Sequence, residues 1–273
     1  MIRALKIFYI LLALVMATGC VMDTRLQKQF LDIGQIKDAY EVASTSGLSL
    51  PAAEKLTYDI KWIGIPIGAL ITSIKGIEKI NERDTYVFEA VFKTNDFCSK
   101  IYPVDDRFVS YMDKELLYTI RHEVYRREGK YKKDAVTEFD QVNGKAHFRN
   151  LLDNTDKVFD IPRGVHDFLS AYYYLRLLSL NLGDKLRYAV SNNEKIYQVI
   201  LFAKSRTHLN LGALGKKPAL LIQPYALQQG EQIREGSARG YYSYEGERML
   251  LSAVITAPVF TRVSVQLKKV EEK

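Results

Sequence analysis

The chain has 273 residues, 47% hydrophobic and 26% charged, proportions that exclude a wholly disordered chain, a collagen-like fibre and a coiled coil. Two cysteines are too few for a disulfide framework. The 39 Lys and Arg against 32 Asp and Glu leave a net charge of +7, a moderate excess that names no partner by itself.

Met1 to Cys20 (MIRALKIFYILLALVMATGC) places Arg3 and Lys6 before an apolar run, Ile7 to Ala17, of 11 residues. A bilayer span needs about 20, so the pattern predicts a signal peptide over 1–19 rather than a membrane-spanning helix. Ala17-Thr18-Gly19-Cys20 resembles a bacterial lipobox, with Ala where Leu is commonest. Cys20 is therefore the expected lipid-attachment site, two or three acyl chains being enough for stable anchoring. Val21 stands where an Asp would favour retention in the inner membrane. The outer membrane is thus the favoured address, facing the periplasm, with plain secretion as the alternative.

Residues 20–52 read as the lipid cysteine, a tether and a short amphipathic helix: Leu26, Phe30, Ile33, Ile36 and Tyr40 recur at helical spacing. Ser44 to Pro51 reads as a linker, and one β-rich domain is expected over 53–273. Leu56, Tyr58, Ile60 and Trp62 alternate with Thr57, Asp59 and Lys61, a half-buried strand. Gly64 to Gly68 is expected to turn the chain, and strands follow over 69–75, 86–92, 107–112 and 118–127. Asn143-Gly144 between runs 134–142 and 145–149 marks a hairpin, since both residues tolerate positive φ. Further strand patterns cover 195–203, 219–225, 239–244, 249–255 and 259–268. The abundance of Tyr (18) and Phe (12) agrees with strand-rich structure.

One segment differs. Asp167 to Leu182 (DFLSAYYYLRLLSLNL) has helical length, Asp167 placed as N-cap and Gly183 as stop. It is apolar nearly all round, Arg176 being its one basic residue, so it should be buried. The expected fold is mainly β: a strongly curved antiparallel sheet, or partly open β-barrel of meander topology, with one buried helix near 167–182 in its concave face or plugging one end.

The motif order is Lys55-Leu-x-Tyr-x-Ile-x-Trp62, Gly64-Ile-Pro-Ile-Gly68, Ile101-Tyr-Pro-Val-Asp-Asp106, then Asp167 to Arg176 followed by Gly183-Asp184. It resembles the bacterial envelope proteins grouped as domain of unknown function 3108. The similarity runs from about Ala53 to Lys269. The resemblance implies an exported or lipid-anchored all-β domain, and it transfers no catalytic residue.

The residues carry no standard catalytic signature: no His-Glu-x-x-His, Gly-x-Ser-x-Gly or Walker loop. The glycines at 236 and 240 lead into a strand, without the helix N-terminus that would hold a phosphate. Four scattered histidines have no zinc spacing, and Asp96, Asp105, Asp106 and Asp113 lack a calcium-loop pattern. Neither a metal nor a cofactor is expected. Cys98 would be the one thiol left beyond Cys20, nucleophilic only if a histidine lies beside it. The stretch 121–133 holds Arg121, Arg126, Arg127, Lys130, Lys132 and Lys133. It reads as a solvated basic hairpin around Gly129, able to meet anionic lipid, lipopolysaccharide or an acidic glycan; nucleic acid is excluded by the exported address. Arg176, lone on an apolar helix, must snorkel, pair with a carboxylate or face a cavity, and pairing is favoured.

The expectation is a non-catalytic cell-envelope lipoprotein that binds an amphiphile or a protein partner in envelope maintenance. Tyr172, Tyr173, their neighbour Tyr174 and Trp62 would line the ligand site, and Arg176 would meet a head group. The alternative is an assembly scaffold that docks a partner through the basic hairpin. A hydrolase with an unrecognised site ranks last. A roomy cavity would favour the first reading; a filled core with an exposed apolar patch would favour the second.

Overall fold

The computed structural model describes residues 36–192, 194–229, 231–232, 237–257 and 261–272. The predicted leader, Cys20, and Leu26, Phe30 and Ile33 of the predicted helix lie outside the described residues.

The chain enters through β1 (Ile36–Asp38) and α1 (Ala39–Thr45), whose N-cap Asp38 accepts a hydrogen bond from the Tyr40 N–H. From β2 (Glu54–Trp62) it meanders through β3 (Ile65–Ile80), β4 (Arg83–Thr94), β5 (Asp105–Asp113), β6 (Thr119–Glu128), β7 (Tyr131–Asp140), β8 (Lys145–Asn150) and β9 (Asp156–Asp160), each antiparallel to its predecessor. The β4–β5 connection carries α2 (Asp96–Ile101). After β10 (His166–Asp167) and α3 (Phe168–Tyr174), a second arm follows. It runs through β11 (Lys185–Asn192), β12 (Lys195–Asn210), β13 (Lys216–Gln228), β14 (Glu231–Gln232), β15 (Ser237–Tyr242), β16 (Leu250–Ala257) and β17 (Thr261–Glu272).

β17 then pairs with β2, Val263 opposite Trp62 and Leu267 opposite Tyr58. That one long-range ladder fuses the two arms into a single seventeen-stranded sheet. Its ends are β9 on one side and, on the other, β1 and β10, both parallel to β11. No ladder joins these ends among the described residues. The sheet nevertheless curls until Lys157 on β9 reaches Glu194 in the β11–β12 turn at 2.7 Å. Beneath that bridge Phe139, Ala146, Ile161 and Val165 pack against Ala189 and Ile196. The expected partly open, meandering barrel is what forms.

Period-2 burial follows the sequence pattern. Leu56, Tyr58 and Ile60 point into the core, while Lys55, Thr57 and Asp59 alternate outward. Each fully buried side chain of this size contributes about 1.5–3 kcal/mol. At Gly68 on β3 the backbones crowd: a Cβ there would sit 2.1 Å from the Lys93 carbonyl oxygen of β4.

α3 lies in the concave face, toward one end of the roll. Its N-cap Asp167 meets Ser110 and Thr119, Arg176 beyond its C-terminus meets Glu54 at the start of β2, and the Leu178 carbonyl accepts from Arg248. That end carries the β3–β4, β5–β6 and β7–β8 turns and is called here the Asn143 end; the opposite one, with the β2–β3, β4–β5 and β6–β7 connections, is the Ile63 end.

Four expectations need correction. The helix stops early: a 3-10 turn (Leu175–Leu177) ends it, and the chain continues extended, Leu178 and Leu180 inward, Ser179 and Asn181 outward. An all-round apolar run can be buried by either geometry, and the core here takes both. The folded part does not wait for residue 53: Ala39, Ala43 and Leu50 are core residues, because α1 packs its small side chains on β11 and leaves Tyr40 exposed. The turn expected over 64–68 is confined to Ile63 and Gly64, since Ile65 already pairs with Trp62. In the 141–144 turn only Gly144 takes positive φ (66°); Asn143 is held instead by the Asp140 side chain, which accepts from both its N–H and that of Val142.

Candidate functional site

The helix and the 3-10 turn after it bring together Tyr172, Tyr173 and Arg176, all expected at a ligand site. Tyr172 shares a 2.7 Å hydrogen bond with the Tyr58 hydroxyl of β2. Tyr173 stacks on Phe88 of β4, ring centroids 4.0 Å apart, and the Arg176 guanidinium lies 5.7 Å over the same ring. Arg176 itself makes a two-pronged ion pair: Nη1 to Glu54 Oε1 at 2.6 Å, Nη2 to Glu54 Oε2 at 2.8 Å. Both partners are buried, and Glu247 stands 3.8 Å away. Of the three fates open to a lone arginine on a greasy helix, pairing is the one realised, and Glu54 was not marked as the partner by any motif.

Trp62 does not join them. It sits at the far end of β2 from Glu54, about 26 Å along a nine-residue strand. It is half-buried, and its indole N–H has no hydrogen-bond partner among the described residues. The Tyr173 and Tyr188 hydroxyls and Arg176 Nε are likewise buried without partners. Burial drives the Tyr58, Tyr173 and Tyr188 hydroxyls well above the usual tyrosine range, so all three stay protonated.

A second cluster is one that sequence spacing missed. Asp167, fully buried, accepts from Ser110 Oγ at 2.5 Å, Thr119 Oγ1 at 2.9 Å and the backbone N–H groups of Leu169 and Ser170. Ser170 Oγ lies 2.5 Å from Thr119 Oγ1 and 3.4 Å from His166 Nδ1, while His122 Nε2 is 3.8 Å from Asp167 Oδ1. The sequence marked Asp167 correctly as an N-cap. That two of four scattered histidines converge on it follows only from the register that sets Ser110 beside His122. Burial keeps both rings neutral, pulling His166 down to about 4 and lowering His122.

The hairpin of β6 and β7 turns at Gly129 as expected, but its charges are mostly spent. Even-numbered β6 residues face the concave side, so His122, Arg126 and Glu128 are buried. Arg126 is therefore not a surface residue: its Nε donates to Glu128 Oε1 at 2.7 Å and lies 3.8 Å from Asp106 Oδ2. Burial, then the neighbouring Glu128, raises Asp106 from 3.8 to about 7 against the pull of the Arg127 N–H and Arg126. Arg127 grips Asp134 with two nitrogens, Arg121 pairs with Glu123 at 2.8 Å, and half-buried Lys133 stands over the Phe148 ring. Lys130 and Lys132 alone of the six are exposed. The aspartates do not converge on a cation: Asp105 pairs with Lys93 and Asp113 with Arg83, and the described residues hold no metal-ligating cluster. Cys98 is half-buried in α2, with no hydrogen bond to a histidine among the described residues.

A single sheet rolled about a short plug of helix, held by buried ion pairs and without a closing ladder among the described residues, defines the class: a barrel-like, mainly β protein. The chain belongs to the family described as protein of unknown function DUF3108, whose model matches residues 57–268. A crystal structure of a β-barrel-like protein of domain of unknown function DUF1849 from Brucella abortus is similar over 83% of this chain and 100% of its own, at 8% identity and a TM-score of 0.58; that likeness is one of fold. A protein with a YmcC-like fold from Bacteroides fragilis covers 82% of this chain and 97% of its own, at 8% identity and a TM-score of 0.34. No curated protein matches the chain.

Proposed function

We propose that this protein is a non-catalytic lipoprotein of the bacterial cell envelope, anchored through Cys20, that works by docking its outer surface rather than by carrying an amphiphile within the sheet. The observation that supports docking is α3. Phe168 to Leu178 are all buried, and their neighbours from both arms form one continuous core. The Arg176 prongs that would greet a head group hold Glu54 instead. The lipobox-like end at Cys20 supports the envelope address, and Val21 favours the outer membrane. The Asp167 cluster supports a non-catalytic reading: every member is buried, and the Ser170 hydroxyl is spent on the Asp167 carbonyl at 3.1 Å.

Native mass spectrometry of the chain recovered from a periplasm, followed by solvent extraction, tests this reading. The expected result is a clean protein mass from repeated preparations. A discrete adduct that survives desalting and disappears in Arg176→Ala would restore the carrier reading.

A further inference from the structure

The Ile63 end is knitted into one rim. Asn95, N-cap of α2, donates its backbone N–H to the Ile67 carbonyl at 2.9 Å and its side-chain amide to the Pro66 carbonyl at 2.8 Å. Just beyond α2 the Tyr102 hydroxyl donates to the Glu128 carbonyl and the Gly129 N–H to the Pro103 carbonyl, both at 2.8 Å. Three successive connections are thereby fixed side by side.

From this fixed rim large apolar side chains project into solvent: Ile63 and Ile65 are 59% exposed, Phe97 71% and Ile101 68%. Phe97 and Ile101, four residues apart, share one face of α2. Isolated exposed apolar residues are ordinary, but four on contiguous connections constitute a patch that calls for an occupant. The same rim carries Lys100, Lys130 and Lys132, exposed and without acidic partners among the described residues. Asp96 is the acidic residue nearest them in α2, and Asp105 is held by Lys93. Lysine is depleted from protein–protein interfaces. Apolar side chains on protruding turns, flanked by lysines, match instead the layering of a bilayer surface, with acyl chains below and anionic head groups beside them.

We propose that the Ile63 end is a membrane-docking rim. Ile63, Ile65, Phe97 and Ile101 enter an anionic lipid surface, and Lys100, Lys130 and Lys132 lie among its head groups. The proposal rests on the docking reading and names its partner. It is compatible with an anchor at Cys20. Ile36 lies beside Lys185, at the Asn143 end, and the chain from 20 to 36 spans at most about 55 Å. The longest strands, of 16 residues, rise about 50 Å. Tether and rim can therefore reach the same bilayer.

The test uses the full chain in phosphatidylcholine vesicles with brominated acyl chains, with or without phosphatidylglycerol. Trp62→Phe removes the one native tryptophan. In that background Phe97→Trp reports the rim, and Val142→Trp, at a position 83% exposed in the turn at the opposite end, is the control. With phosphatidylglycerol the emission at position 97 should fall roughly twofold or more while that at 142 holds, and each lysine replaced by Glu should shift the docked fraction at least roughly fivefold. In the unmodified chain, amide exchange over 95–103 should slow on the anionic vesicles, which guards against a folding defect in the tryptophan variants. No quenching at 97, or equal quenching at both positions, overturns the rim and leaves the patch to a protein partner. A ligand adduct in native mass spectrometry would overturn the docking reading whatever the vesicles report.

Discussion

Arg176→Met is the perturbation with the most to say about the core. It leaves the Glu54 carboxylate buried with both oxygens, previously 2.6 and 2.8 Å from guanidinium nitrogens, without a cation. Removing one partner of a buried pair costs about 3–5 kcal/mol, and both groups are too buried for solvent screening to discount this. The lost contact with the Tyr173 ring adds about 0.5–1 kcal/mol. In a domain of this size 1 kcal/mol corresponds to about 2–4 °C, so the melting temperature should fall by about 7 to 24 °C. Glu54→Leu should cost a similar amount, stranding the arginine. The double variant, with no buried charge, should recover most of the loss of either single, which makes the coupling energy about 5 kcal/mol or more. Urea unfolding followed by circular dichroism and by tyrosine fluorescence measures all three variants, and coincidence of the two probes licenses the two-state treatment. If either single variant costs under about 1 kcal/mol, or the double costs the sum of the singles, the pair is not a structural lock and the arginine is free for another role.

Three further outcomes are expected. Asp167→Ala removes a helix cap together with a carboxylate that accepts from Ser110 and Thr119; it should cost about 2–4 kcal/mol in chemical denaturation, and a loss under 1 kcal/mol would contradict the network. Asp106, raised from 3.8 to about 7, favours its protonated form in the fold, so the stability it contributes is full near pH 4 and is lost as pH rises to about 7. Asp106→Asn, neutral throughout, should melt higher than the wild type at pH 8 and lose that advantage toward pH 4, and a pH-independent difference would be the contrary result. Gly68→Ala forces a Cβ to within 2.1 Å of the Lys93 carbonyl oxygen. It should cost about 3 kcal/mol or abolish soluble expression, and wild-type melting would show that β3 and β4 part easily.

What the sequence discloses about this fold is set by how local each signal is. The alternation of Leu56, Tyr58 and Ile60 against Thr57 and Asp59 is a property of one strand, and it reads through directly to burial. Asp167 was legible as a cap for the same reason. The end of α3 was not, because Leu177 to Leu182 is apolar in a way that suits a helix or an extended segment, and the choice rests with Arg248, seventy residues on. The basic hairpin shows the other limit. Its charges are plain in sequence, but period-2 alternation turns Arg126 inward, onto an Asp106 from the preceding strand and a Glu128 at the end of its own. Buried charge pairs are non-local, and a single sequence carries no mark that Glu54 and Arg176 belong together. The exposed rim was hidden similarly: Ile63, Phe97 and Ile101 look like core residues until the connections are placed, and Ile65, expected in a turn, opens β3.

The ladder between β2 and β17 has a consequence for how the molecule is made. It joins β2 to β17, so Leu56 cannot meet Val270 until every strand between them has emerged. Closing so long a loop is entropically costly and topologically slow. A chain that crosses a membrane unfolded would therefore wait, with the edges of β2 and β16 bare, for β17 to arrive. A nascent chain cut before Thr261 presents two unpaired strand edges rich in Val, Ile and Leu, the template on which chains aggregate. β17 thus completes the sheet, and its loss should be read out as protease-sensitive, sedimenting protein rather than as a weaker fold.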